Sequence, residues 1–141
     1  MPRLSPFLVL ALLTAALLGP GCGDNTPAMT NQNAPSPVPI DVPFDGIVTV
    51  NGAVTHPFDV QRPGQVIVRF AALEPDASVV LGLSLGTWNG VVCDIKLAAD
   101  KATQGTTITG TASTAGSFCA RVYDVGSLTG PVSYQIVVTH Y

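Results

Sequence analysis

The chain has 141 residues, of which 47% are hydrophobic and only 11% charged, and its formal net charge at pH 7 is −3. A chain of this length favours a single domain. The acidic balance excludes the basic surface of a nucleic-acid-binding protein, and the composition excludes a highly charged, disordered chain as a description of the whole protein.

The first segment of the chain is an apolar run that follows a single positive charge. Arg3 precedes residues 6–18, and Thr14 interrupts that run. Because about 20 apolar residues are needed to cross a bilayer, the run is too short for a transmembrane helix. A positive start, a short apolar middle and small residues at the end predict a secretory signal peptide over residues 1–21.

A cysteine stands just after this run, in the sequence Leu18-Gly19-Pro20-Gly21-Cys22. This segment resembles a bacterial lipobox. The resemblance implies that Cys22 carries a lipid anchor, through which the protein binds a membrane. Gly23 is not the usual inner-membrane retention residue, which favours the outer membrane or the cell surface. In the alternative interpretation Cys22 is free or disulfide-bonded, the signal peptide is an ordinary one, and the protein is secreted.

The remaining cysteines are Cys93 and Cys119. An odd number of cysteines in an exported protein leaves one thiol to explain, and a lipid on Cys22 leaves these two as a pair. An oxidising compartment then predicts a Cys93–Cys119 disulfide, with two reduced, buried thiols as the alternative. No CxxC or HxxxH spacing is present, so the sequence predicts neither a metal site nor a cofactor.

Residues 22–43 differ sharply in composition from the rest of the chain. They contain five prolines and three asparagines, and no lysine, arginine or aromatic residue. Such a segment cannot bury a core, which predicts a disordered or polyproline-like tether. About 20 residues at roughly 3.1 Å each would extend about 60 Å, enough to hold a domain away from a membrane.

The remainder, residues 44–141, is predicted to be one β-rich domain. Apolar and polar residues alternate with the period of two that indicates half-buried strands, most clearly over residues 54–60, 118–123 and 132–139. Val, Ile, Thr and Phe are frequent, as strands require. Further strands are predicted at 46–50, 65–72, 78–85, 91–98 and 106–111.

Turn residues separate these strands at short, fairly even spacing. Asn51-Gly52 and Asn89-Gly90 predict type I′ hairpins, in which both central residues have positive φ. A helical turn is expected, if anywhere, within residues 95–104. Eight short strands with this spacing predict an all-β fold, an antiparallel sandwich or barrel.

Four segments of this region follow the pattern of one bacterial family. They are Phe44 to Val48, Val54 to Val60, Ala115 to Asp124 (AGSFCARVYD) and Gly130 to Val138. Together they are similar to the pre-peptidase C-terminal (PPC) domain family over nearly all of residues 44–141. The resemblance implies a jelly-roll-like β-sandwich without catalytic residues, of a kind usually appended to secreted enzymes. This chain departs from the family in its tether and in its cysteine pair.

One catalytic motif is present in the predicted domain. Gly82-Leu83-Ser84-Leu85-Gly86 matches the G-x-S-x-G of α/β-hydrolases, and Asp124 and His140 follow in the order of that triad. The motif requires a strained strand-to-helix turn, whereas a hairpin turn and another strand follow Gly86. A packed strand in which small and large residues alternate accounts for the same five residues. The chain is therefore predicted not to be an enzyme, with a small serine hydrolase using Ser84 as a remote alternative.

The only tryptophan, Trp88, is predicted at a hairpin tip beside Asn89. An exposed tryptophan on such a loop can stack on a sugar ring or anchor a protein partner. Trp88 and Asn89 are therefore candidate ligand contacts. In the alternative, Trp88 folds back and covers the open end of the sandwich.

The remaining ionisable residues give weaker signals. Asp94, Asp100 and Asp124 could bind calcium if loops brought them together, but no calcium-loop motif is present, and solvated carboxylates are expected. His56 alternates with the apolar residues of its strand and is predicted to be a hydrogen-bonded or edge histidine. His140 lies near the chain end and is predicted to be exposed.

These features predict a non-catalytic exported lipoprotein that displays a small β-sandwich binding or interaction module at the bacterial envelope. The expected partner is a glycan or an envelope protein, and not a nucleic acid. The alternative is a structural or adhesive accessory module for a cell-wall polymer or a secreted enzyme. The fold alone does not choose between them, because sandwiches carry many functions.

Overall fold

The computed structural model of the protein describes residues 35–141, which form eight antiparallel strands in two sheets. The strands are β1 Ile40–Val48, β2 Ala53–Val60, β3 Gly64–Glu74, β4 Leu81–Trp88, β5 Cys93–Ala102, β6 Thr107–Ala112, β7 Gly116–Tyr123 and β8 Val132–His140. In this part of the chain no helix has the length and apolarity needed to cross a membrane. The predicted signal peptide and lipidation site lie outside the described residues.

The strand order identifies the architecture. Sheet A has the order β1-β8-β3-β6 and sheet B the order β2-β7-β4-β5. The first strand pairs with the eighth, the second with the seventh, the third with the sixth and the fourth with the fifth. Such nested pairing is that of a jelly roll, in which one long hairpin is wound into two facing sheets. The predicted all-β, jelly-roll-like sandwich of about eight strands is confirmed.

The core lies between the two sheets and is built from the period-two pattern of the sequence. In β8, Val132, Tyr134, Ile136 and Val138 are all buried, while the residues between them are half-buried or exposed. Phe70, Leu81 and Leu83 fill the layer from β3 and β4 with no exposed surface.

The first strand begins earlier than the sequence indicates. β1 starts at Ile40, inside the predicted tether, and its register pairs Ile40 with His140 and Val42 with Val138. Pro43 is tolerated because β1 is the edge strand of sheet A, where one side of the backbone needs no ladder hydrogen bond. Pairing with β8 decides this boundary, which composition alone places too late.

The two Asn-Gly turns differ from each other and from the prediction. At the first, the amide of Gly52 donates to the carbonyl of Thr49 at 2.8 Å, and Asn51 has the positive φ. This turn joins β1 to β2, which belong to different sheets, so the predicted type I′ hairpin is wrong. At the second, β4 and β5 do form a hairpin, but its loop spans residues 89–92 and only Gly90 has positive φ.

The helical turn considered within residues 95–104 does not form. β5 covers Cys93–Ala102 and pairs with β4, with two irregularities in the register. The local sequence contains lysine and alanine, which are good helix formers, but pairing in a sheet overrides local helix propensity.

Candidate ligand-binding surface at Trp88

Trp88 is the last residue of β4, and Cys93 is its partner in β5. The preceding Thr87 pairs with Phe118, which packs against the core. Because side chains alternate along a strand, Trp88 lies on the outer face of sheet B. Its side chain is half-buried there. Trp88 therefore lies one residue before the hairpin loop and is not part of the core between the sheets.

A surface cavity of about 560 Å³ lies beside the tryptophan. It is lined by Pro57, Phe58, Asp59, Trp88, Asn89, Gly90 and Ser117. Within it, the hydroxyl of Ser117 donates a hydrogen bond of 2.6 Å to the carboxylate of Asp59. The structure thus places an aromatic ring next to a paired hydroxyl and carboxylate. We call this set of residues the Trp88 surface.

The disulfide fixes the strands that carry this surface. Cys93 and Cys119 are bonded, with Cα atoms 5.8 Å apart, which confirms the predicted pair. The bond joins β5 to β7, the two neighbours of β4 in sheet B. Gly86 permits this close approach, because a Cβ atom there would collide with the carbonyl group of Asp94 and the backbone of Ile95.

Asn89 shapes the loop that borders the surface. Its side-chain oxygen accepts hydrogen bonds from the amides of Val91 and Val92, at 2.9 and 2.8 Å. This side chain therefore holds the loop from within, and it also lines the cavity. The sequence proposed Asn89 only as a ligand contact, since its role in the loop depends on the loop's conformation.

The three residues of the hydrolase-like motif do not come together. Ser84 is fully buried in the middle of β4, and its hydroxyl lies 3.4 Å from the carbonyl oxygen of Arg121. His140 ends β8 in the other sheet, and its Nδ1 atom lies 3.3 Å from the carbonyl oxygen of Tyr141. Residues 82–86 lie within a strand and not at a strand-to-helix turn.

Asp124, the third residue of that motif, organises two loops. Its carboxylate accepts hydrogen bonds from the amides of Asn51, Gly126, Ser127 and Leu128, at 2.8 to 3.2 Å. These bonds, that of the Asn51 amide first, hold the pKa of Asp124 below its ordinary value of 3.8. Its contribution is therefore structural, because its oxygens bind backbone amides of the β1–β2 and β7–β8 connections.

The carboxylates considered for calcium lie apart from one another. Asp94 pairs with Lys96, and Asp100 accepts a hydrogen bond from the hydroxyl of Tyr123. Burial, and then this bond, raise the pKa of Tyr123 to about 12. Over residues 35–141 no group of three or more potential metal ligands occurs.

The two histidines occupy different environments from one another. His140 is buried at 3% exposure, with its ring centroid 5.4 Å from that of Phe58, so the prediction of an exposed His140 is wrong. The alternation of inward and outward side chains in β8 continues to its last residue. It therefore predicts the burial of His140 better than the position of this residue near the chain end does. His56 is a hydrogen-bonded histidine, as predicted: its Nε2 lies 2.8 Å from the hydroxyl of Tyr134.

His56 should make stability depend on pH. Burial lowers its pKa below the ordinary 6.5, and the charge of Asp45 opposes this only in part. Since the unfolded chain binds the proton more readily, the free energy of unfolding should be highest above pH 6.5 and should fall as the pH drops through the folded-state pKa. Urea unfolding of wild type and His56→Gln on both sides of that pH measures it.

The acid-sensitive carboxylates do not interfere with that comparison. Asp76 and Asp124 have pKa values below 3.8, so they stay ionised throughout this range. The His56→Gln variant should show a smaller fall. An equal fall in both proteins would contradict the assignment to His56.

Sequence reasoning missed the polar half of the Trp88 surface. Asp59 and Ser117 are far apart in the chain and become neighbours only because β2 pairs with β7 in this register. Their only sequence signal is that Asp59 occupies an outward position of a predicted strand and that Ser117 directly precedes another.

Comparison with models of protein families finds no match to this chain, and comparison with curated proteins finds none either.

Proposed function

We propose that this protein is a non-catalytic, exported lipoprotein that displays a jelly-roll binding module at the bacterial envelope, and that the Trp88 surface binds a glycan. One observation carries the ligand class: a half-buried indole lies beside the hydrogen-bonded pair Asp59–Ser117. The apolar face of a sugar ring can stack on an aromatic ring, and its hydroxyls can bond to a carboxylate and a hydroxyl at the edge.

The position of the surface favours binding of an extended ligand over a small enclosed one. The cavity is open and shallow, because it lies on the outer face of a sheet and not between the sheets. Its side chains are held in place by the Cys93–Cys119 bond and by the Asn89 hydrogen bonds, so little order must be gained on binding. A wall polymer or surface polysaccharide fits this shape.

Replacing Trp88 with alanine should weaken glycan binding about thirtyfold, the effect expected for the loss of an aromatic anchor. Trp88→Phe is the matched control, because a smaller aromatic face should retain part of the affinity. Binding is measured by calorimetry with the best ligand from a glycan screen, and the fold is checked by circular dichroism. Unchanged affinity in Trp88→Ala, or loss of the β-sheet spectrum, would overturn the assignment.

The same screen includes envelope proteins as a second class of partner. If only a protein binds, and Trp88→Ala abolishes that binding, the surface is an interaction site and the glycan proposal fails. Hydrolysis of an ester or peptide substrate that is lost in Ser84→Ala would overturn the non-catalytic part of the proposal.

The anchor part of the proposal rests on the sequence, from the apolar run 6–18 and the lipobox-like segment that ends at Cys22. Two or three acyl chains on one cysteine hold a protein at a bilayer far more firmly than one chain. Intact mass spectrometry of membrane-extracted protein should show a chain that starts at Cys22 and carries lipid. Cys22→Ser should be released or left unprocessed. An unmodified, soluble Cys22 chain from the wild type would contradict the anchor.

A further inference from the structure

One end of the sandwich combines the entry of the chain with the Trp88 hairpin. Ile40, the first residue of β1, pairs with His140 at the end of β8. At this end the amide of Gln61, which follows β2, donates to the carbonyl of Tyr141 at 2.8 Å. β7 starts beside the end of β2, and β4 ends beside the start of β7, so Trp88 lies at this end as well.

This end also exposes apolar side chains. Val91 and Val92 form the tip of the β4–β5 hairpin, with 81% and 57% of their surface exposed. Asn89 binds the amides of both residues, which fixes the tip in this conformation. Val38 and Ile40, where the chain enters β1, are also exposed. Isolated apolar residues on a surface are common, whereas contiguous exposed apolar residues mark protein or membrane interaction sites.

We infer that the β4–β5 hairpin tip rests in the membrane interface, with Val91 and Val92 among the acyl chains and Trp88 near the headgroups. The inference rests on the lipid anchor of the proposed function, because Cys22 precedes Ile40 by only about 20 residues of chain, a reach of roughly 60 Å at most. Because the tether joins the sandwich at the start of β1, this end can reach the bilayer. Tryptophan prefers the interface, since its ring is apolar and its N–H is polar.

The charges near the tip are of both signs, and the carboxylate of Asp59 beside Trp88 accepts a hydrogen bond from the Ser117 hydroxyl. Lys96 is paired with Asp94, so these two residues of β5 bring no net charge to the interface. Arg62 lies in the β2–β3 connection at the same end and is exposed, where it can contact an anionic headgroup. The glycan that the Trp88 surface binds would then be one carried close to the membrane.

The single tryptophan makes the contact directly measurable. The lipidated protein is reconstituted into vesicles of phosphatidylethanolamine and phosphatidylglycerol in which part of the lipid is brominated in its acyl chains. Bromine quenches the fluorescence of a tryptophan that lies in the bilayer. We expect strong quenching in the wild type. In a Val91→Ser/Val92→Ser variant, the ratio of molecules with the hairpin tip in the bilayer to molecules with the tip in water should be about tenfold lower. Val50→Ser is the matched control, an exposed valine in the turn between β1 and β2 at the other end.

Flotation of the same vesicles separates the two proposals. Protein that floats without quenching of Trp88 keeps its anchor and overturns the membrane contact. Protein that neither floats nor shows quenching overturns both the lipid anchor and the membrane contact of the hairpin tip. Equal quenching in the Val91→Ser/Val92→Ser and Val50→Ser variants also overturns the contact. A second copy of the chain is the other possible occupant of the tip. If the double variant instead changes the sedimentation of the protein and leaves quenching unaffected, the tip is a self-association site and the inference fails.

Discussion

Replacing Cys93 and Cys119 together with serine should lower the free energy of unfolding by about 2–5 kcal/mol, the usual loss for a small exported domain. The bond spans 26 residues of chain. Closing a loop of that size accounts for about 3.5 kcal/mol in the chain-entropy model, through the restricted unfolded state. Denaturant unfolding of wild type and variant measures the difference.

Reduction of the wild-type protein is the control for this experiment. A reducing agent should produce a loss similar to that of the double substitution, because both remove the same cross-link. The variant should also bind its ligand less tightly, since the bond ties β5 to β7 across β4, the strand that carries Trp88. A wild-type protein whose unfolding midpoint is unaffected by reductant would contradict the prediction.

Gly86→Ala should lower the free energy of unfolding by about 3 kcal/mol, at the upper end of the range for overpacking. An added methyl group would meet the Asp94 carbonyl and the backbone of Ile95. Backbone atoms cannot rotate away as a side chain can, so β5 must move. Trp88 lies two residues after Gly86 in β4. A shift of β5 at Gly86 should therefore disturb the Trp88 surface, and we also expect weaker ligand binding. Thermal unfolding and calorimetry measure the two effects.

Gly116→Ala is the matched control for this substitution. Gly116 starts β7 in the same sheet, and a Cβ atom there would meet nothing closer than 4.0 Å. Alanine restricts the unfolded chain and fits the folded one, so stability should be unchanged or raised by about 0.5 kcal/mol. A similar loss in both variants would show that the Gly86 effect does not come from the approach of β5.

His56 and His140 show what the period-two alternation of a strand can predict about burial. His56 and His140 both stand at inward positions of alternating strands, and the same period predicts both to be inward-facing. Nearness to the chain end suggested exposure for His140, but β1 extends back to Ile40 and pairs with it. The inward alternation of β8, which places the ring beside Phe58, therefore decided its burial.

The sequence by itself determined the fold class, the approximate position of every strand and the pairing of Cys93 with Cys119. Alternation and turn residues are local signals, and the cysteine pair follows from the cysteine count by elimination. None of these signals requires a structure. The conformations of the Asn51 and Asn89 turns were not determined in this way, because they depend on which sheet receives the next strand.

Only the tertiary structure decided what surrounds Trp88. Asp59 and Ser117 come beside it through the register of β2 with β7, and Gly86 and the disulfide bring β5 close to the same place. Register between distant strands is fixed by the packing of the whole core, since a slip by one residue would turn every buried side chain outward. The sequence therefore determined which residues could form a sandwich, and core packing determined which of them meet at its surface.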